Sequence, residues 1–225
     1  MSQAPITEKR FIEGPVGRLE AIVDTPADSE PYGTVVVCHP HPQHGGTMHN
    51  KVAHTLARTF VRLGFVSLRF NFRGTEASEG TYDNGIGELD DALAALAWIH
   101  DRCPDGPQWL AGFSFGAAIA VRAAATARVD GLITVAPAIR RLAPGQPEQP
   151  DCPWLIIQGD VDELVDVDAT IEWVNGLAPG PELLVMPGVE HFFHGNLNAL
   201  QDAVTAFVAK QMAEGQYSSR KKSRD

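Results

Sequence analysis

A strand, a G-x-S-x-G turn and a helix follow one another directly near the middle of this 225-residue chain. The turn is residues 112–116 with Ser114 at its centre, between an apolar run at 108–111 and an alanine-rich run at 117–121. This context predicts a nucleophile elbow, which exposes its serine and needs glycine on both sides. The helix behind the serine directs its first N–H groups toward developing negative charge. The alternative is a glycine-rich turn without chemistry.

The composition is that of a globular, acidic chain. Hydrophobic residues make up 44% and charged residues 20%, with a formal net charge of −10. No apolar run is long enough for a membrane-spanning helix, and the first ten residues lack the apolar core of a secretory signal. We therefore expect a soluble, cytoplasmic protein. We do not expect nucleic acid as a partner, because binding it needs a basic face on the protein, and we do not expect a membrane as a partner either. The oligomeric state stays open.

The chain ends and the cysteines add little chemistry. Cys38, Cys103 and Cys152 have no C-x-x-C spacing, which argues against a disulfide framework or a zinc ribbon. Residues 220–225 are mostly basic and follow no apolar period. We predict a single domain over residues 1–212 and a disordered basic tail over 213–225. A tag for nucleic acid or an acidic partner is the alternative for this tail.

Short β-branched runs alternate with longer helical stretches from residue 34 onward. A hairpin at 11–23, split by Gly14-Pro15-Val16-Gly17, precedes them. Predicted strands cover 34–38, 65–70, 108–111, 131–135, 154–157 and 183–186. Predicted helices cover 52–63, 83–100, 169–177 and 197–212, besides the one that follows Ser114. The predicted fold class is α/β, a mostly parallel central sheet with an N-terminal antiparallel hairpin and helices on both faces.

A serine nucleophile needs a base, and the base needs an orienting acid. Both residue types occur in loops that follow predicted strands, in the order nucleophile, acid, base. Residues 159–165 form an acid-rich loop, and residues 188–194 hold two histidines. The candidate acids are Asp160, Asp162, Glu163 and Asp166, and the candidate bases are His191 and His194.

Taken in order, these motifs resemble those of a small lidless bacterial α/β-hydrolase, esterase-like with a serine nucleophile. The matching segments are G-x-S-x-G at 112–116, G-x-x-D-x-x-V at 159–165, G-x-x-H at 188–191, His-Pro-His-Pro at 39–42 and Arg-Phe-Asn-Phe-Arg-Gly at 69–74. They span residue 35 to about residue 193. The resemblance implies an α/β-hydrolase fold. Lipases carry a cap where this chain has only the proline-rich segment 136–153, so we expect no cap domain and an open site.

By motif position the resemblance implies that Ser114 is the nucleophile, Asp162 the acid and His191 the base. Asp162 fills the aspartate position of G-x-x-D-x-x-V, and Asp160 is the next candidate. His194 lies where the last helix is predicted to begin, which suits a solvated surface residue better than a base.

The oxyanion hole that the resemblance implies needs two N–H donors. One is the backbone N–H of Phe115, directly after the nucleophile. In the family's His-Gly-x pattern the residue after the glycine donates, and here Pro40 occupies the glycine position, which indicates His41. The Gly-Gly pair at 45–46 is the alternative source. Prolines have no N–H and cannot contribute.

Four histidines within residues 39–49 could suggest a metal site. The intervening prolines and glycines indicate a shaped loop instead, without a closed ligand set, so we expect no metal and no cofactor. His39 is expected to be a buried polar residue that fixes this loop by hydrogen bonds. Arg73 follows a predicted strand and could pair with an Asp or Glu on a neighbouring loop, and the resemblance implies that its turn is scaffold beside the site.

The residues therefore predict an enzyme that cleaves a small-molecule carboxylic ester or thioester through an acyl-enzyme. A peptidase acting on short peptides with the same triad is one alternative. A non-catalytic binding protein that retains the fold is another, and fold alone does not name a substrate.

Overall fold

The structure, a computed structural model, describes residues 4–142 and 149–214. Within these residues, eight strands form one sheet in the order β1-β2-β4-β3-β5-β6-β7-β8. The strands are β1 (Ile6–Gly14), β2 (Gly17–Thr25), β3 (Gly33–Cys38), β4 (Phe65–Phe70), β5 (Gln108–Phe113), β6 (Gly131–Val135), β7 (Trp154–Gly159) and β8 (Glu182–Met186). The helices are α1 (Lys51–Arg62), α2 (Gly87–His100), α3 (Phe115–Thr126), α4 (Val167–Asn175) and α5 (Leu197–Ala213).

The predicted fold class is confirmed. Strands β3 to β8 pair in parallel, whereas β1 pairs with β2 and β2 with β4 in antiparallel fashion. The hairpin is longer than the predicted 11–23, because β1 and β2 stay in register from the Ile6–Thr25 pair to the Gly14–Gly17 pair. Because all parallel strands run the same way, the loops after β3, β5, β6, β7 and β8 emerge at one edge of the sheet.

Hydrophobic cores lie on both faces of the sheet. Side chains that follow each other along a strand point to opposite faces, so Trp109 of β5 packs in the core under α1 and α5, and Leu110 packs in the core under α2 and α3. Both side chains are fully buried. Strands that are buried along their whole length, such as β3, are typical of a sheet covered on both sides.

Helix α2 begins four residues later than the predicted start at Asp83. Asn84 and Gly85 adopt left-handed conformations with φ of 55° and 89°, which a right-handed helix cannot include. The buried Glu88 carboxylate accepts hydrogen bonds from the N–H groups of Asp83 at 2.8 Å and Gly85 at 2.6 Å. This left-handed turn occupies the residues where the sequence predicted the first turn of the helix.

The segment between β6 and β7 contains a 3₁₀ turn, Ile139–Arg141, and no other helix or strand among its described residues. Residues 143–148 of the proline-rich segment and residues 215–225 of the predicted tail lie outside the described residues. The division into a domain over 1–212 and a tail stays a prediction. In the described part of the chain, no helix combines the length and apolar character needed to cross a bilayer.

Candidate active site

Ser114 occupies a strained position between β5 and α3. Its φ of 55° and ψ of −115° lie in a region that non-glycine residues rarely adopt. A Cβ on Gly112 would overlap the carbonyl oxygen of Gly116, and a Cβ on Gly116 would overlap that of His39. Both positions therefore require glycine, as the elbow prediction states.

Three loops bring Ser114, His191 and Asp162 into one hydrogen-bonded chain. The Ser114 Oγ lies 3.1 Å from the His191 Nε2, and the His191 Nδ1 lies 2.8 Å from the Asp162 Oδ2. The His191 side chain is 2% exposed and the Asp162 side chain 0% exposed. An ionised carboxylate can only accept, so Nδ1 carries the proton and Nε2 is free to accept one from the hydroxyl. This arrangement can activate a serine for nucleophilic attack.

Asp162 accepts four hydrogen bonds, which use both of its oxygens. Oδ2 receives the His191 ring and the Gln158 Nε2 at 2.9 Å, and Oδ1 receives the N–H groups of Leu164 at 2.9 Å and Val165 at 2.7 Å. Burial by itself favours the neutral acid, but these hydrogen bonds outweigh it and hold the pKa of Asp162 below its ordinary value. The carboxylate is therefore charged at neutral pH.

The competing carboxylates bind backbone groups instead of the imidazole ring. Asp160 accepts from the N–H of Gly188 at 2.6 Å, and Glu163 accepts from the backbone N–H of His191 at 3.2 Å. Asp166 caps the N-terminus of α4. Asp160 and Glu163 thereby join the loop that carries the acid to the loop that carries the histidine.

The competing histidine, His194, lies at the surface. Its side chain is 64% exposed and contacts Glu190 rather than Ser114. Helix α5 begins at Leu197, three residues later, after a turn in which Phe193 has a positive φ of 56°.

The backbone at Phe115 and His41 lies at the ends of neighbouring strands. Their rings are 5.0 Å apart between centroids, which places the two loops side by side next to Ser114. Within residues 4–142 and 149–214, neither the Phe115 N–H nor the His41 N–H donates to another protein group. The rival Gly46 N–H is already bound to the His41 carbonyl at 3.0 Å. The backbone N–H groups of Phe115 and His41 thus have no protein partner among the described residues.

His39 fixes the loop after β3, as predicted. Its Nδ1 donates to the Pro40 carbonyl at 2.6 Å and its Nε2 accepts from the Phe72 N–H at 3.0 Å. Complete burial lowers the pKa of His39 to about 4, so the ring is neutral. Among the described residues, no group of three or more histidine, cysteine, aspartate or glutamate side chains is arranged to hold a metal.

Arg73 pairs with an acid, but the acid is Asp91 of helix α2 rather than a residue of a neighbouring loop. Its Nη2 lies 2.7 Å from the Asp91 Oδ1 in a pair that is almost completely buried, and the Arg73 N–H binds the same carboxylate at 2.9 Å. This pair fixes the turn after β4 against α2.

Three further side chains at the site have no sequence motif. Gln158 contacts the acid, as described above. The Tyr82 hydroxyl lies 3.3 Å from the His41 Nε2, and the Arg141 Nη2 lies 2.7 Å from the same nitrogen. Sequence reasoning missed them, because residues 41, 82 and 141 meet only through the strand order of the folded sheet.

Comparison with known proteins gives the same architecture. An α/β serine hydrolase without a lid from Xanthomonas campestris is 41% identical, with a TM-score of 0.86 over 91% of this chain and 94% of that one. An α/β serine hydrolase homologue from Coxiella burnetii is 43% identical, with a TM-score of 0.82 over 88% of this chain and 96% of that one. An uncharacterised protein of Rickettsia prowazekii is 32% identical over 213 residues, 88% of this chain and 87% of the relative.

A family model also matches more than half of the chain. It describes the X-Pro dipeptidyl-peptidase (S15) family and matches residues 14–146. That range includes the strands β3 to β6 and the elbow serine. The match, the lidless relatives and the observed sheet agree that this protein is a hydrolase. The chain belongs to the α/β serine hydrolases without a lid, and the family whose model it matches is the X-Pro dipeptidyl-peptidase (S15) family.

Proposed function

We propose that this protein hydrolyses carboxylic esters or thioesters through an acyl-enzyme on Ser114. The serine Oγ attacks the substrate carbonyl carbon while His191 Nε2 takes the hydroxyl proton. Asp162 orients the imidazole and stabilises its positive charge. His191 then gives the proton to the leaving alcohol or thiol as its bond to the acyl carbon breaks. Water, deprotonated by the same histidine, attacks the acyl-enzyme and releases a carboxylic acid.

The oxyanion of each tetrahedral intermediate would be stabilised by the backbone N–H groups of Phe115 and His41. Each such donor contributes about 3 kcal/mol to lowering the barrier. Helix α3 begins at Phe115, and its N-terminal dipole also favours negative charge there.

The observation that carries this proposal is the continuous hydrogen-bonded chain from the Ser114 Oγ at 3.1 Å through His191 to the buried Asp162 at 2.8 Å. A fold that had lost catalysis would have no physical reason to keep a charged carboxylate buried behind a histidine, since burying an ionised group is costly.

The first experiment is covalent labelling with a fluorophosphonate, which reacts with an activated serine. We expect one label per chain on Ser114, no label on Ser114→Ala, and normal labelling of a control at the exposed Ser29, Ser29→Ala. Failure of the native protein to react would favour the non-catalytic binding protein. Hydrolysis of 4-nitrophenyl butyrate and of its thioester analogue then establishes the reaction.

Peptide cleavage is the second candidate, because the S15 family model matches the chain. An X-Pro dipeptidyl-peptidase must accept a substrate with a free N-terminal ammonium group. The Arg141 guanidinium, 2.7 Å from His41, puts positive charge at this site and disfavours a second cation there. Alanyl-prolyl 4-nitroanilide tests this candidate directly, and turnover of it faster than of the butyrate ester would overturn the ester proposal.

A further inference from the structure

Arg141 lies at the edge of the site, on the 3₁₀ turn that follows β6. Its Nη2 is 2.7 Å from the His41 Nε2, and its Cζ is 5.1 Å from the centre of the Phe115 ring. His41 and Phe115 are the two residues whose N–H groups are proposed above to stabilise the oxyanion. The guanidinium is therefore next to both residues that would hold the reacting carbonyl.

The partner that Arg141 has in this structure is neutral. Burial lowers the pKa of His41, and together with the positive charges of Arg141 and His44 it brings this pKa to about 4. A guanidinium can only donate, so the His41 Nε2 accepts the hydrogen bond from Arg141. The His41 contact leaves the positive charge of Arg141 uncompensated.

No carboxylate compensates that charge among the described residues. The two buried arginines near the sheet differ in this respect, since Arg73 pairs with Asp91 at 2.7 Å and Arg69 with Asp24 at 3.0 Å. Arg141 is exposed and forms no ion pair within residues 4–142 and 149–214. Its remaining N–H donors are available to a ligand.

The Phe115 ring lies against the guanidinium, and the Tyr82 ring lies beside both Phe115 and His41. The Tyr82 ring is 5.2 Å from the His41 ring and 6.0 Å from the Phe115 ring between centroids. Together with Arg141 these three residues form a cluster, which we call the Arg141 cluster, with aromatic sides and a cationic end. Stacking on an aromatic face pre-orients a guanidinium at little further entropic cost.

We propose that Arg141 is a specificity-determining residue that binds a carboxylate of the substrate, so that the preferred substrates are anionic esters or thioesters. This inference rests on the proposed function. A carboxylate is a stronger partner than a neutral imidazole, because its two oxygens match the guanidinium fork and the hydrogen bonds are charge-assisted. It would therefore replace His41 as the acceptor for Arg141.

The overall charge makes this local cation more important. With a formal net charge of −10, the chain as a whole repels an anionic substrate. Salt screens exposed carboxylates that lie farther than about one Debye length from the substrate. A cation directly beside the reacting carbonyl is screened much less, so it offsets the repulsion where the substrate binds.

The test compares matched pairs of esters. For the acyl side, mono-4-nitrophenyl glutarate is compared with 4-nitrophenyl valerate, which has the same chain length without the carboxylate. For the leaving-group side, 4-(carboxymethyl)phenyl butyrate is compared with 4-ethylphenyl butyrate. The ratio of kcat/KM within each pair is measured for the native enzyme, Arg141→Gln and Arg140→Gln, an exposed neighbouring arginine that serves as control.

We expect the native enzyme and Arg140→Gln to favour the anionic member of at least one pair by about tenfold, the size of one partly exposed charge-assisted hydrogen bond. Arg141→Gln should lose that preference. Raising the salt concentration to about 0.5 M should raise KM for the anionic ester of the native enzyme and leave KM for the neutral ester unchanged.

Two results would overturn the inference. The first is an anionic-to-neutral ratio that Arg141→Gln leaves unchanged, including an equal loss on both esters, which would indicate a structural role. The second is a native enzyme with no preference in either pair. If the native enzyme hydrolyses none of the four esters, the proposed function fails together with this inference, so the two failures are distinguishable.

Discussion

The Gln158 side chain donates a hydrogen bond from its Nε2 to the Asp162 Oδ2 at 2.9 Å, from a position on β7 that is completely buried. The same Nε2 lies near the carbonyls of Gly159 at 3.3 Å and Val165 at 3.4 Å, which fixes the orientation of the amide. The Gln158 Oε1 is left buried without a partner among the described residues. An unsatisfied buried oxygen costs about 1–3 kcal/mol, so the chain gives up stability to hold the acid in place.

Replacing Gln158 with Met should lower kcat/KM about tenfold, because Asp162 keeps three of its four hydrogen bonds but loses the one beside the His191 contact. The free energy of unfolding should not fall, since the substitution also removes the unpartnered Oε1. Ester hydrolysis and urea unfolding check the two parts separately. Equal losses of activity and stability would show that Gln158 only supports folding.

Ser114→Ala should lower kcat by about 10⁶-fold, because the three residues act as a unit and the alanine has no nucleophile. Folding should be retained, since alanine occupies no more space than serine. Circular dichroism and a 4-nitrophenyl butyrate assay of protein purified to homogeneity check this expectation. Substantial residual hydrolysis in the pure variant would assign the nucleophile to another residue.

Asp162→Asn should lower kcat about 10⁴-fold, because an amide can present an N–H to the imidazole and favour the wrong tautomer. Asp160→Asn is the matched control two positions away. It keeps an oxygen acceptor for the Gly188 N–H, so its loss should stay below about tenfold. Steady-state kinetics of both variants at one pH make the comparison, and a larger loss in Asp160→Asn would exchange their roles.

Because of His39, the free energy of unfolding should fall in mild acid. Its pKa is about 4 in the folded state, against an ordinary value of about 6.5 in the unfolded chain. The unfolded state therefore binds a proton first as the pH falls, so the stability present above pH 6.5 is lost between about 6.5 and 4. At pH 5 the loss is about 2 kcal/mol.

Urea unfolding at pH 7.5 and pH 5.0 measures this loss, and His39→Gln should show a flatter dependence. The carboxylate of Asp162 does not interfere, because its lowered pKa removes stability only at lower pH. His41 shifts in the same direction, but its partial exposure screens the effect. Identical free energies of unfolding at the two pH values would contradict the prediction.

Acyl-chain preference should stay shallow among neutral esters. A fully buried methylene contributes about 0.8 kcal/mol, or about fourfold in kcat/KM, but the described residues between β6 and β7 form only one 3₁₀ turn and no cover for a long chain. We expect kcat/KM to level off at short chains, without a jump above the solubility limit of the substrate. A 4-nitrophenyl ester series measures this, and a steep optimum at long chains would reveal a deep channel.

The sequence determined the fold class and the segments that carry the site. Glycine at 112 is required by the elbow itself, because a Cβ there would meet the carbonyl oxygen of Gly116, and such a local clash can be predicted from the five-residue motif. Strand and helix periods are local as well, which is why the alternation from residue 34 onward predicts the parallel sheet. The sequence did not predict the start of α2 at Gly87, because that start depends on the Glu88 carboxylate, which accepts hydrogen bonds from the backbone of the preceding turn.

Only the tertiary structure decided which side chains meet. Four carboxylates lie within residues 160–166, and the path of the folded loop brings Asp162 to within 2.8 Å of His191. Arg141 reaches His41, which is 100 positions away in the chain, because β3 lies beside β5 and β5 beside β6. Spacing along a chain specifies contacts over one turn of helix or one pair of strand residues. Contacts between loops depend on strand order and register, which arise only when the whole sheet packs.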